Sequence, residues 1–171
     1  DLDTSRGLGD VYKRQAVNRQ ASRLGLRPHM GLADARAIYP HLLAQWAEPD
    51  KDREALYDLA RWCIRYTPWV TVEGRDGLWL DVSGCAHLFG GEAQLCRDIL
   101  KRLKAFQITA HIGLADTPGA AWALSRYGKK PFNIADIGQT AQALAPLPPA
   151  SLRLNEDITL LLRRFGLKSC G

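Results

Sequence analysis

Two short β-prone runs, Trp69 to Glu73 and Leu78 to Ser83, are joined by Gly74-Arg75-Asp76-Gly77, and this joint constrains the fold more than any other stretch. An Asp-Gly pair between two such runs closes a tight turn, since both residues tolerate the positive φ that suits the right-handed twist of the flanking strands. The two runs must therefore pair antiparallel. A lone hairpin is marginal in water, so the rest of the chain has to supply the helices and further strands that cover it.

Those partners are legible on both sides. Before the hairpin, Leu56, Leu59, Ala60, Cys63 and Ile64 recur at the spacing of a core-facing helix, and Asp50 is placed to cap its start. After it, Leu95, Ile99, Leu103 and Phe106 fall on one side of a helix over Glu92 to Phe106. Ile108 to Ala115 reads as a strand, and Thr117 with Pro118 then opens a helix through about Tyr127. Upstream, short helices are expected from Ala16 to about Leu24, capped by Gly25, and from Leu32 to Ile38 before Pro40. Leu42 to Trp46 is apolar enough for a strand. Downstream come a short helix over Gln139 to Leu144, a rigid connector at Pro146, Pro148 and Pro149, and a last helix from Asn155 to Phe165 before Gly166. This order defines an α+β chain, an antiparallel or mixed sheet with helices on one face.

Residues 1–15 carry neither period and are left out of the fold. The peptide Asp10-Val11-Tyr12-Lys13-Arg14-Gln15 reads either as a translated adapter scar or as a disordered native terminus. The remainder is ordinary globular sequence: of 171 residues, 46% are apolar and 24% charged, which excludes collagen, coiled coil and wholesale disorder. Apolar runs such as Leu160 to Leu162 are far short of the roughly 20 residues of a membrane span, and no leader for secretion is read at the start. Cys63, Cys85, Cys96 and Cys170 form no metal-binding spacing and no disulfide framework, so free thiols in a reducing cytoplasm are expected.

The net charge of +5 is unevenly placed. From Lys101 onward there are ten Lys and Arg against four Asp and Glu, whereas the first hundred residues carry thirteen against fourteen. A basic half of this kind suits a polyanion partner, because each cation near a phosphate releases condensed counterions. The candidates are Arg126, Lys129 and Lys130 at one helix end, and Arg163, Arg164 and Lys168 around the last helix. A helix C-terminus also favours cations whatever the function, and a solvated face is the alternative for both sets.

Catalytic chemistry is thin. Metal-assisted phosphoryl transfer needs carboxylates converging on two ions, and the only cluster to test is Glu73, Asp76 and Asp81. In a regular strand Asp76 and Asp81 would sit on opposite faces, up to about 17 Å apart, so they cannot share an ion. Gly113 to Gly119 lacks the glycine spacing and the Lys of a phosphate loop. His29, His41, His87 and His111 are scattered away from any nucleophile motif. Trp46, Trp62, Trp69, Trp79 and Trp122 stand mostly at core spacings, which favours burial over base stacking.

Three segments, in order and spacing, resemble the Y-family (UmuC-like) translesion DNA polymerases, most closely their ImuB-type branch. The resemblance runs from about Ala16 to the end. Ala21-Ser22-Arg23-Leu24-Gly25-Leu26-Arg27-Pro28-His29-Met30 is similar to the fingers segment of that family. Tyr66-Thr67-Pro68-Trp69-Val70-Thr71-Val72-Glu73, followed by Asp76-Gly77-Leu78-Trp79-Leu80-Asp81-Val82-Ser83, is similar to its palm hairpin. Ile112-Gly113-Leu114-Ala115 and the helix after it resemble its third motif, and Leu161 to Leu167 looks like the start of its thumb.

The resemblance implies a palm of ferredoxin-like type over residues 41–130, a small helical fingers insertion over 16–40, and a connector with the start of a helical thumb over 131–171. It also implies lost functional groups. Asp76 falls where the family carries the Asp of an Asp-Glu dyad, a vestigial position here because Gly77 stands in place of the Glu. The family's first acidic strand lies upstream of Ala16, and residues 1–15 do not supply it. Arg19 and Ser22 occupy the triphosphate-binding Tyr and Arg positions, and Pro118 and Trp122 the two Lys positions. The implied function is a non-catalytic, DNA-binding adaptor in damage-induced mutagenic synthesis, with no metal or other cofactor. Its implied partners are primer-template DNA, an error-prone replicative-type polymerase, a recombinase-like accessory protein and the sliding clamp, the last through a segment outside this sequence. The alternatives are an active polymerase that uses Mg²⁺, and a protein-interaction module without DNA contact.

Overall fold

The computed structural model describes residues 19–27, 29–44 and 48–171. In chain order they form α1 (Arg19–Arg23), α2 (Leu32–Ile38), α3 (Pro49–Cys63), β1 (Val70–Glu73), β2 (Gly77–Leu80), α4 (Glu92–Ala105), β3 (Ile112–Leu114), α5 (Pro118–Tyr127), β4 (Phe132–Ile134), α6 (Thr140–Leu144) and α7 (Glu156–Arg164). Short 3₁₀ turns at Ala86–Phe89 and Pro149–Leu152 complete the set. This is an α+β fold. Its strands pair two by two, β1 with β2 and β3 with β4. The short Gly74-to-Asp76 link permits only antiparallel pairing of β1 with β2. The second pair is parallel, with Ile112 opposite Phe132 and Leu114 opposite Ile134.

Two compact units result: the described residues up to Trp62 with Thr71–Leu78, and Cys63–Val70 with Trp79–Gly171. In the first, Leu26 and Ala35 are its deepest apolar residues, at 1% and 0% exposure. Gly25, at φ 84°, supplies the left-handed turn that ends α1. Pro49 takes the first position of α3, so Asp50 lies inside the helix and accepts from Arg53 at 2.8 Å instead of capping.

The second unit is organised by a β-α-β crossover. Thr117 caps α5 by accepting from the Ala120 amide at 3.3 Å, with Pro118 next to it, as the sequence predicts. The helix lies directly on β3. A Cβ added at Gly113 would run into the backbone carbonyl of Ala121 and come within 2.6 Å of the Ser125 amide, so only glycine lets strand and helix touch. Asn133 of β4 donates its side-chain amide to the Leu124 and Lys130 carbonyls at 3.3 and 3.0 Å, which closes the far end of α5. Ala123, Leu124, Ala135 and Leu147 form the core over this crossover, flanked by Trp122, Tyr127 and Leu144. Each of the two leucines buried here contributes on the order of 2 kcal/mol.

The expected proline connector is structural. Leu147 and Ser151 are buried at 7% and 1% exposure. The amides of Cys170 and Gly171 return to the carbonyls of Leu147 and Ala145 at 2.9 and 3.1 Å, so the segment bearing α7 is tied at both ends. Asn155 caps α7 by accepting from Asp157 at 3.2 Å, and Gly166 follows it at φ 84°.

Several sequence expectations are corrected. Leu42–Ala44 form no strand, and Leu43 is 97% exposed; a strand needs a neighbour, and Leu42 instead closes a turn on Tyr39. Gln45 and Trp46 lie outside the described residues. The strand expected from Ile108 begins only at Ile112, where the Pro131 carbonyl accepts its amide. The second hairpin strand ends at Leu80, because Asp81 accepts from the Ser83 amide and hydroxyl and turns the chain. Ile64 and Phe106 lie just past their helices and are exposed, whereas Leu95, Ile99 and Leu103 are buried as expected. Strand β4 is missing from the sequence reading altogether.

The close contact of β3 with α5 predicts that Gly113→Ala destabilises by at least the upper end of the ~1–3 kcal/mol typical of overpacking. Gly119→Ala on the same helix, with nothing within 4 Å of the added carbon, leaves stability unchanged or slightly raised. Urea unfolding midpoints of the two variants check this.

Candidate nucleic-acid interface

The hairpin places the acidic positions first. Glu73 closes β1, Asp76 is exposed in the turn, and Gly77 opens β2 with no side chain to offer. Asp81 is exposed beyond β2, where the Ser83 hydroxyl at 2.6 Å and amide at 3.0 Å hold its carboxyl below its ordinary range. Its oxygens are thus committed to a local turn. Among the described residues, no three His, Cys, Asp or Glu side chains gather into a group that could hold a metal ion. Where the family resemblance places metal ligands, the described residues offer Asp76 in an exposed turn and Gly77 without a side chain.

Ahead of β1, Tyr66 belongs to an arrangement with α4 that carries no signal in the sequence. Tyr66, 3% exposed, donates its hydroxyl to Asp98 on α4 at 2.8 Å, and the same oxygen receives Arg102 Nε at 2.7 Å. Tyr66 also packs against Phe89 with ring centroids 5.3 Å apart. The Arg102 and Tyr66 hydrogen bonds hold the Asp98 carboxyl below its ordinary range, while burial and the Asp98 contact push the Tyr66 phenol up. Next to it, buried Thr67 accepts from the Trp69 amide at 3.2 Å. Trp69 itself is 73% exposed, contrary to the expected burial, because it stands at the outer start of β1. Trp62, Trp79 and Trp122 are half-buried.

Burial pushes the thiols of Cys63 and Cys96 up. All four cysteines are free, with Cys63 and Cys96 buried. Burial, followed by the nearby Glu92, pushes the Cys96 thiol up to about 11, so it stays protonated at neutral pH.

Some cations are neutralised locally, Lys51 by Glu48, Arg53 by Asp50, Arg61 by Asp58 and Arg102 by Asp98, whereas Lys101 and Lys104 of α4 are exposed and form no ion pair among the described residues. Lys129 and Lys130 after α5, and Arg163, Arg164 and Lys168 around α7, are exposed and take part in no ion pair among the described residues. Arg126, in the last turn of α5, is also exposed.

The fold brings together two candidates that lie far apart in sequence. Trp122 from α5 and Arg163 from α7 line one groove of about 630 Å³, with Tyr127, Arg153, Glu156 and Asp157. Arg153 lies over the Trp122 ring, 4.6 Å from its centroid. Pro118 begins α5 and lies outside this groove. Ser22 is an exposed residue of α1, and the Arg19 backbone starts the same helix. Arg153 and Tyr127 carried no signal that would have singled them out.

A palm of the Y-family polymerase type is what the fold presents. A crystal structure of DinB from Sulfolobus solfataricus superposes with a TM-score of 0.71 at 18% identity, covering 89% of this chain and 46% of that one. A Dbh ternary complex matches with the same score and identity over 91% and 47%. The impB/mucB/samB family model matches residues 15–126, and the chain belongs to that family. Protein ImuB of Caulobacter vibrioides (strain NA1000 / CB15N) is 43% identical over 148 residues, 86% of this chain and 32% of that protein. DNA polymerase IV of Salmonella typhimurium is 27% identical over 176 residues, 96% of this chain and 49% of the relative. The chain thus spans about a third of the first relative and half of the second.

The paired Asp98 carboxylate predicts a pH signature. Its folded pKa is depressed, so its contribution to stability is complete above the ordinary carboxylate range, near pH 4, and fades as pH falls through the lower folded value. Asp98→Asn is therefore expected to be less stable than the parent chain at neutral pH, with the gap shrinking below about pH 4. Thermal unfolding of both proteins across pH measures it.

Proposed function

We propose that this chain is the palm-like part of a non-catalytic Y-family polymerase relative, an adaptor that holds DNA during damage-induced mutagenic synthesis. Gly77 carries the reading: β2 opens on a residue with no side chain, where the family resemblance places a metal-binding glutamate. Asp76 alone in an exposed turn gives a cation pair too few oxygens. The 43% identity to a protein called ImuB supports the same branch.

DNA contact rests on the exposed cations of the C-terminal half. Lys129, Lys130, Arg163, Arg164 and Lys168, with Arg126 beside them, would meet phosphates, which position a duplex without reading its sequence. Arg19, Ser22, Pro118 and Trp122 are degraded nucleotide-site positions in this reading. Residues 16–40 act as the fingers-like segment, 41–130 as the palm-like part, and 131–171 as the connector and thumb start. The error-prone polymerase, the recombinase-like protein and the sliding clamp are partners of the whole protein in a cytoplasmic setting. No helix among the described residues is long and apolar enough to cross a membrane.

Two measurements test this. Primer extension with Mg²⁺ by a full-length homologue is expected to show no incorporation; incorporation that Asp76→Ala abolishes would establish the active-polymerase reading instead. Duplex affinity of the chain is expected to fall linearly with log salt, and Lys129→Glu with Lys130→Glu to flatten that slope by about 0.9 per lost phosphate contact. A flat salt response in the parent chain would leave only a protein-interaction role.

A further inference from the structure

The groove between α5 and α7 has a composition that phosphate contacts do not account for. One wall is aromatic, with Trp122 and Tyr127 at 6.0 Å between ring centroids and the Arg153 guanidinium lying over the Trp122 ring. The other comes from α7 and carries two carboxylates, Glu156 and Asp157, in its first turn and Arg163 in its last. Arg153 is itself held at φ 57°, a left-handed conformation that costs a non-glycine residue of order 1 kcal/mol. The surrounding structure sustains that conformation and keeps the guanidinium on the ring.

Each possible occupant meets a different mismatch or match. A phosphate would be repelled by Glu156 and Asp157. An apolar segment would leave four charged side chains buried against it. A nucleobase meets no such objection. It is flat, stacks on aromatic rings and guanidinium planes, and presents amino donors to carboxylates and carbonyl or ring-nitrogen acceptors to guanidinium groups. The volume of about 630 Å³ lies within the range of small-ligand sites. Exposed cations follow both groove-bearing helices in the chain, Lys129 and Lys130 after α5 and Arg164 and Lys168 at and after the end of α7, and are available to the phosphates of a strand whose base enters the groove. The Trp that replaces a family lysine thus has a use of its own.

We propose that the groove lined by Trp122, Tyr127, Arg153, Glu156, Asp157 and Arg163 receives one unpaired nucleobase of single-stranded DNA, stacked on the aromatic wall. This rests on the DNA-binding reading above and adds a base-dependent site to it. Bases with an exocyclic amino group, cytosine foremost, suit the carboxylates; thymine lacks that group.

The test uses the whole chain and a single strand of about 12 nucleotides, within the site sizes common for single-strand binding. The strand is thymine throughout except for one central position, which is cytosine, thymine or abasic. Binding by fluorescence anisotropy is expected to weaken at least about five-fold from cytosine to abasic, the lower bound for one stacked base. Glu156→Gln with Asp157→Asn, both exposed positions, is expected to weaken the cytosine strand and erase its preference over thymine. Trp122→Phe, which keeps an aromatic ring against the core, is expected to lower the abasic discrimination with the circular dichroism unchanged. If cytosine and abasic strands bind alike and the double variant binds more tightly, the groove only neighbours a phosphate track and the base site is overturned while DNA binding stands. If no strand binds at any salt concentration, the DNA-binding reading falls and takes this site with it.

Discussion

A helix lying bare against a strand organises the larger unit. At Gly113 the backbone of β3 approaches that of α5 so closely that no side-chain carbon fits between them. The same crossover carries α5 from the end of β3 to the start of β4 and sets Ala123 and Leu124 over Ala135 and Leu147. Because that contact is backbone to backbone, it cannot be relieved by a rotamer change, and interiors packed to crystal density transmit the resulting strain. The position of Trp122, and with it one wall of the groove, follows from how α5 is seated.

The hairpin and the crossover have diverged in different ways from what the family resemblance implies. At the hairpin the change is subtractive: Gly77 supplies no carboxylate, and the oxygens of Asp81 are held by Ser83. At α5, Trp122 packs against the core and carries Arg153 over its ring. Tyr66, ahead of β1, meanwhile donates to Asp98 on α4 at 2.8 Å, and Arg102 does so at 2.7 Å.

Local signals were legible, and non-local ones were not. Thr117 with Pro118, Asn155 before α7, and Gly25 and Gly166 at positive φ announce their helix ends because each cap is decided within a few residues. The hairpin is where the Gly74-to-Gly77 stretch announced it, but the positive φ falls at Gly74, at 60°, and Gly77 already belongs to β2, so the turn is not the Asp-Gly type expected. Strand β4 is only three residues long and exists because β3 lies beside it across a helix, a partner that no local period reveals. Leu42 to Ala44 erred in the opposite direction, apolar in pattern but without a neighbour to pair with. Tyr66 and Asp98 meet from thirty-two positions apart, and Arg153 reaches Trp122 only after the Pro149–Leu152 turn has reversed the chain. Residues 1–18 lie outside the described structure, so the expectation for the terminal peptide finds no counterpart in the fold.

The segment bearing α7 leaves the core at Ala145 and Leu147 and comes back to those same residues through the amides of Gly171 and Cys170. It is built like a bucket handle that is pinned along its length as well as at its base, since Pro149 and Ser151 are buried and Arg153 rests on Trp122, so cutting the two terminal hydrogen bonds alone would not free α7.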